Sequence, residues 1–297
     1  MPAFFNGIFG HKPSRYLVPN EGQFPGDSRD DKYLTTGPLC RHAVDIIPLL
    51  KVMAGEVKSK SLHLDSPINF EAFQLKVISI PDVGKALGVS PISPEQRDSQ
   101  NRVAEFLQKE INARVETICF DELEESFAMW NSSLGLTGSP SFCQLLGSPL
   151  EEPIQPWKEL FLWLICLSKH TLPAIGLALT EKIDMMPTSV KEEYRARAEG
   201  LEKKIKELIG NAGILLFPSS ADYAYYHNQP IYKSFNCVYT MILNILGFPV
   251  TQVPLGLGEK GVPLGIQVVA DHDNDRLSIA VAHLLENRFG GWVKPQP

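Results

Sequence analysis

Residues 1–14, MPAFFNGIFGHKPS, decide how the rest of the chain is read. Pro2 suits the first turn of a helix, where its missing N–H would be unpaired anyway. Asn6-Gly7 suits the stop, because both residues tolerate a left-handed backbone. Ile8-Phe9-Gly10 then reads as a short buried strand. The stretch is therefore a small helix running into a strand, and no polar arm or N-cap residue precedes its apolar core. A helix N-terminus gathers backbone N–H groups and positive potential, which favours a nucleophile or an anion there. That end coincides with Met1, so the chain is expected to begin just after its own chemistry.

Outward from this stretch, residues 15–36 are loop-rich, with a charged run at 27–32. Thr36-Gly37-Pro38 opens a helix with apolar positions Leu39, Ala43, Ile46, Ile47, Leu50 and Met53, closed by Gly55. Pro48 inside that pattern predicts a kink or an early break. Residues 73–80 alternate like a strand, 94–114 form a charged amphipathic helix, 115–120 a strand and 122–130 a helix. Residues 131–155 read as irregular, with a helical turn near 142–146. The run 188–209 is a long charged helix whose outer face is solvated. Residues 213–217, 250–254 and 264–270 are strands, and 235–246 and 274–289 are helices. Strands alternating with helices give an α/β fold, a mixed β-sheet core covered by helices. With no internal repeat and no linker, one domain is expected.

Composition narrows the function classes. The 297 residues carry a net charge of −6, which argues against nucleic acid as a partner. Cys40, Cys119, Cys143, Cys166 and Cys237 form no C-x-x-C pair, and their odd number suits reduced thiols in an intracellular compartment. Pro2, Gly7 and the lack of a basic start argue against a signal peptide, so the sequon at Asn131 is expected to be unused. The histidines lack zinc-ligand spacing, and neither a metal nor a cofactor is expected.

Several signals mimic chemistry. Gly256, Gly258 and Gly261 match G-x-G-x-x-G, but the dinucleotide fingerprint must open a helix, and here Val262-Pro263 leads into another strand. A glycine-rich connection between neighbouring strands is the reading. No G-x-S-x-G elbow presents a serine. Lys12 and Ser14 could suggest a Ser-Lys dyad, but Pro13 between them makes a structural loop the better account. The block 157–179, WKELFLWLICLSKHTLPAIGLAL, is the most apolar of the chain. Each half falls short of the roughly 20 residues a spanning helix needs. It is either a buried helical pair or a hairpin lying in the membrane interface through Trp157, Phe161, Trp163 and Leu164, with the two Trp residues at headgroup depth.

Three of these stretches resemble the amidase-signature family. PAFFNGIFGHKPS is similar to the segment after that family's Gly-Gly-Ser-Ile-Arg nucleophile loop. TGPLCRHAVDIIPLLKVMAG (36–55) resembles its T-G-P-x-x-R helix, and GFPVTQVPLGLGEKGVPLGIQVVA (247–270) its G-x-P-x-x-x-x-P…P-x-G-x-Q strand pair. HTLPAIGLAL (170–179) and FGGWV (289–293) are similar to the fatty-acid-amide branch. Residues 15–17 and 27–32 depart from the pattern.

The resemblance implies an amidase-signature fold with its N-terminal part missing, so that residues 1–297 are the C-terminal part of one such domain. It implies hydrolysis of a fatty-acid amide to acid and amine by a Ser-Ser-Lys triad. None of the three residues maps onto this sequence, so no catalytic residue is assigned and the chain is expected to be an inactive fragment or short isoform. Phe4, Phe235, Tyr239, Phe248 and Val250, apolar and close to the motifs, are the candidate substrate contacts, with core packing as the alternative account of each. The expected partners are a lipid amide substrate, a membrane surface and a second copy of the chain. The expected location is intracellular, at a membrane or lipid-droplet surface, or the cytoplasm if 157–179 is core. Two other functions stay open: a non-catalytic chain that binds lipid or a partner, and an amidase for small or tRNA-linked amides.

Overall fold

The glycine-rich run after Pro254 turns the chain back on itself. Gly258 donates its N–H to the Val262 carbonyl at 2.9 Å, and a hairpin closes between residues 250–257 and 263–270. This hairpin is the centre of the structure, a computed structural model that describes residues 1–23, 32–136, 140–147, 152–183 and 186–294. Apart from Lys32, the charged run 27–32 lies outside the described residues.

The strands are β1 (Phe9–Lys12), β2 (Leu39–Cys40), β3 (Lys76–Ser79), β4 (Arg114–Thr117), β5 (Gly213–Pro218), β6 (Val250–Leu257) and β7 (Pro263–Ala270). The helices are α1 (Pro2–Phe5), α2 (Ile46–Ala54), α3 (Glu56–Ser61), α4 (Pro94–Glu110), α5 (Ser126–Gly135), α6 (Phe142–Leu146), α7 (Pro156–Leu164), α8 (Leu172–Ile183), α9 (Thr188–Ile209), α10 (Gln229–Tyr232), α11 (Val238–Leu246) and α12 (Asp275–Phe289).

The strands join in one mixed seven-stranded sheet of order β2-β1-β6-β7-β5-β3-β4. Pairing is parallel across β5-β3-β4 and antiparallel elsewhere. Side chains alternate across the pleat, and both faces are apolar. Ile214, Leu216, Ile266 and Val268 pack with Ile46 and Leu50 of α2, Val103 and Leu107 of α4, and Leu277, Val281 and Leu285 of α12. On the other face Leu215, Phe217 and Val269 pack with Met129 of α5, Leu201 and Ile205 of α9, and Ile242 and Leu246 of α11. Each such fully buried aliphatic side chain contributes about 1.5–3 kcal/mol.

Three expectations need correction. Residues 39–40 are a strand, not the start of a helix: Leu39 pairs with Gly10 and Cys40 with Phe9. The helix itself begins at Ile46, which puts Pro48 in its first turn. There the missing N–H costs no intrahelical bond, so Pro48 ends nothing. Residues 121–125 wind as a tight 3₁₀ turn before α5 continues to Gly135. The charged helix 188–209 keeps its expected bounds. It buries Ala198, Leu201, Ile205 and Ile209 and ties its outer face to α5's approach through Arg197–Glu125 at 2.6 Å and Lys204–Glu122.

Candidate functional site

The site grows from α1 and β1. Pro2 opens α1, and the Asn6 side-chain amide donates back to the Pro2 carbonyl at 2.9 Å. Gly7 follows with φ +61°, where a Cβ would meet Pro263 at 2.9 Å, so this turn admits only glycine comfortably. A second tight approach is Gly37, whose Cβ would fall onto the His11 carbonyl. Between these turns β1 lies between β2 and β6, with Lys12 opposite Val250 and His11 opposite Thr251. Alternation then sends His11 to one face of the sheet and Lys12 to the other.

On the His11 face a buried polar network forms. His11 Nε2 lies 3.0 Å from Asp275 Oδ1, and its Nδ1 lies 2.9 Å from Thr251 Oγ1. Ser14 donates its hydroxyl to Asp275 Oδ2 at 2.6 Å and its N–H to Oδ1 at 2.9 Å. Thr251 passes a hydrogen bond to Ser278 Oγ at 2.9 Å. Burial pushes the Asp275 carboxyl up, but the bonds from His11 and Ser14 outweigh it and hold it below its ordinary range. Serine, histidine and aspartate are thus together, but in the wrong order for acyl transfer. Ser14 bonds to the carboxylate and not to the imidazole, so no base stands over its hydroxyl. The network ties β1, β6 and α12 together. Nothing in sequence spacing signals it, since His11 and Asp275 are 264 residues apart. The dyad suggested by Lys12 and Ser14 does not form, because Ser14 is committed to Asp275.

On the other face Lys12 lines a cavity of about 550 Å³. Its stem is partly exposed, but Nζ is buried without a hydrogen-bond partner among the described residues. Burial lowers its pKa from 10.5 to about 7, with Asp275 pulling it up and Arg15 pushing it down. Apolar walls come from Leu39, Trp130, Met241, Leu243 and Val250. Met1, Thr35, Thr240, Asn244, Gln252 and Gln267 also line the cavity: Thr240 donates to the Cys237 carbonyl at 3.0 Å, Asn244 one N–H to the Tyr33 carbonyl at 2.8 Å, and Gln267 to the Pro218 and Tyr239 carbonyls.

Of the five candidate substrate contacts, Val250 lines this cavity. Phe4 is buried beside Gly265. Tyr239 is buried against Phe217, with ring centroids 5.5 Å apart, and burial pushes its hydroxyl pKa up. Phe248 stacks on His272 at 4.6 Å. Phe235 stands apart, 39% exposed and edge-on to Phe127 at 5.0 Å. The structure therefore does not gather the five around one space. What it gathers instead is Lys12 of the opening motif stretch with Trp130 and α11 residues that belong to no motif.

The apolar block forms two helices, α7 and α8, that pack on each other. The turn between them carries Cys166 at φ +59°, and Ser168 donates to Glu159 at 2.6 Å. Only Ile175 and Ala178 are buried among the described side chains of 157–179, while Trp157 is 64%, Phe161 62%, Trp163 38% and Leu164 67% exposed. It is not a buried core pair. Among the described residues no helix is long and apolar enough to cross a membrane.

Sheet, motif strands and helical layers together make one α/β scaffold, and the chain belongs to the amidase-signature family, whose amidase profile matches residues 1–278. Among curated relatives, fatty-acid amide hydrolase 2-A of Danio rerio is 41% identical over 99% of this chain and 56% of its own length. Fatty-acid amide hydrolase 2 of Homo sapiens is 40% identical over the same shares. A glutamyl-tRNA(Gln) amidotransferase component from an Exiguobacterium species is 24% identical over 99% of this chain and 63% of its own length. Among solved structures, an amidase superposes with a TM-score of 0.67 at 20% identity over 97% of this chain and 60% of the other. A fatty acid amide hydrolase does so with 0.62 at 18%, over 97% and 54%. The fold is therefore that of the family, and the chain spans a little over half the length of the curated fatty-acid amide hydrolases it matches.

Proposed function

We propose that these residues form part of a serine hydrolase that cleaves fatty-acid amides to a free acid and an amine. One observation carries the reading: 41% identity to fatty-acid amide hydrolase 2-A along 99% of the chain, against 22–25% for the amidotransferase components. Hydrolysis adds water across the C–N bond, the hydroxyl going to the acyl carbon and the proton to nitrogen. The acid–base work needs a nucleophile with a base beside it. The nucleophile loop and triad that the family resemblance implies have no counterpart among the 297 residues. On this reading these residues supply walls, and hydrolysis belongs to a protein that carries them together with that loop.

Two measurements test it. The 297-residue chain should take no fluorophosphonate label; a covalent serine adduct would sink the claim that it has no active nucleophile. Joined to the upstream portion of the Danio rerio relative, it should hydrolyse a long-chain primary amide faster than a short one. The opposite preference would favour an amidase for small or tRNA-linked amides.

A second reading is a non-catalytic chain that binds lipid, favoured by the exposed apolar side chains of α7 and α8. In either case the hairpin is proposed to rest on a membrane surface, with its Trp residues at headgroup depth.

A further inference from the structure

A second space lies between α2, α12 and the loop 64–70, over the opposite face of the sheet from the Lys12 cavity, and the two share no residue. This groove holds about 330 Å³. Its floor is apolar, built from Ile47 of α2, Leu64, Ile68 and Phe70 of the loop, and Leu284 of α12. Arg276, Ala280, His283 and Asn287 recur at helical spacing, so α12 turns one stripe towards it.

The polar groups on its rim differ in what already holds them. Both Asp65 oxygens accept from the Lys51 ammonium at 2.8 Å, so that carboxylate is matched by a cation of its own. Ser66 and Asn287 are neutral and exposed. Arg276 is half-buried and accessible. Among the described residues it pairs with no carboxylate, and its one hydrogen bond is a long one, from Nη1 to the Ser66 carbonyl at 3.4 Å. The His283 ring has no hydrogen bond among the described residues. A guanidinium fork matches the two oxygens of a carboxylate, and a permanent single charge beside an apolar floor suits a monoanion with an apolar body.

We propose that this groove binds a small monocarboxylate, with its head on Arg276 beside Ser66 and its chain against the apolar floor. The volume is at the small end of ligand pockets, which favours a short acid over a long-chain one. The site is independent of the proposed hydrolysis and stands if that reaction is wrong.

The test is titration of the 297-residue chain with sodium octanoate, read by calorimetry and by saturation-transfer NMR. Octanoate should bind at one site and octanamide about tenfold more weakly. Arg276→Met should weaken octanoate about tenfold and leave octanamide unmoved, and Arg276→Lys, which keeps the charge but not the fork, should fall between. Ala280→Phe fills the groove and should abolish octanoate binding. Equal binding of acid and amide, octanoate binding unmoved by Arg276→Met, or binding that survives Ala280→Phe would each overturn the proposal. Should these variants fail to fold, phenylglyoxal modification of the unaltered chain decides: saturating octanoate must protect Arg276 in the peptide map, and an unprotected Arg276 counts against the site. None of these readouts involves hydrolysis, so they stand apart from the fluorophosphonate and amide assays.

Discussion

At the scale of single residues, β1 carries two buried groups with opposite consequences. His11 belongs to the network in which Asp275 accepts from the imidazole, the Ser14 hydroxyl and the Ser14 N–H. Asp275→Ala strands all three in the buried interior, and breaking such a buried pair costs about 3–5 kcal/mol. Urea denaturation should show a loss of that size, whereas a change under about 1 kcal/mol would mean the network relaxes onto other partners. Lys12 works the other way. Its pKa falls from 10.5 unfolded to about 7 folded, so between those values the unfolded chain holds the extra proton. Stability then rises with pH across that window, by up to about 1.4 kcal/mol per pH unit, and the penalty is gone only above the unfolded value. Lys12→Met removes that penalty at every pH. Without ligand the variant should melt higher than the parent at neutral pH, and the gap should close as pH approaches 10.5; a constant gap would mean Lys12 stays charged. His11 and Asp275 illustrate what sequence hides. Each is an ordinary residue in a loop-to-strand or helix-start context, and only the fold brings them together.

Elements are more legible, and the failures have local causes. The hairpin of β6 and β7 follows from alternation on either side of a glycine-rich turn, and the structure pairs Val250 with Val269 and Gln252 with Gln267 as that alternation requires. Residues 39–40 read as helix because Leu39 continues the apolar spacing of Ile46 and Leu50. Pairing with β1 overrides that local pattern. The block 157–179 shows a harder limit. Its composition suits a core pair and a surface hairpin equally, and burial alone separates them. With Trp157, Phe161 and Leu164 more than 60% exposed, the hairpin presents apolar area to solvent. Trp163→Asp combined with Leu164→Asp should therefore release the chain from phosphatidylcholine liposomes in a flotation assay while the far-ultraviolet circular dichroism stays unchanged. Undiminished flotation would remove the interfacial role from α7 and α8.

Over the whole molecule, the fold class is readable because strand and helix periods alternate, but strand order is not. Order depends on which edges meet across long separations, as when β5 inserts between β7 and β3. That order has an energetic consequence. β7 is paired on both sides and buried along nearly its full length, whereas β4 is an edge strand of exposed and half-buried residues, and β2 is only two residues long. β1, which carries His11 and Lys12, has β6 on one side and only the β2 stub on the other. The candidate site is therefore built where the sheet is thinnest, and local opening there costs less than opening the centre. Native-state hydrogen exchange should rank the amides of β7 and β5 slowest, β1 intermediate, and β2 and β4 fastest. Protection in β1 equal to that in β7 would mean that the edge is held by contacts stronger than its two-residue partner, and the opening of this site would then be no easier than global unfolding.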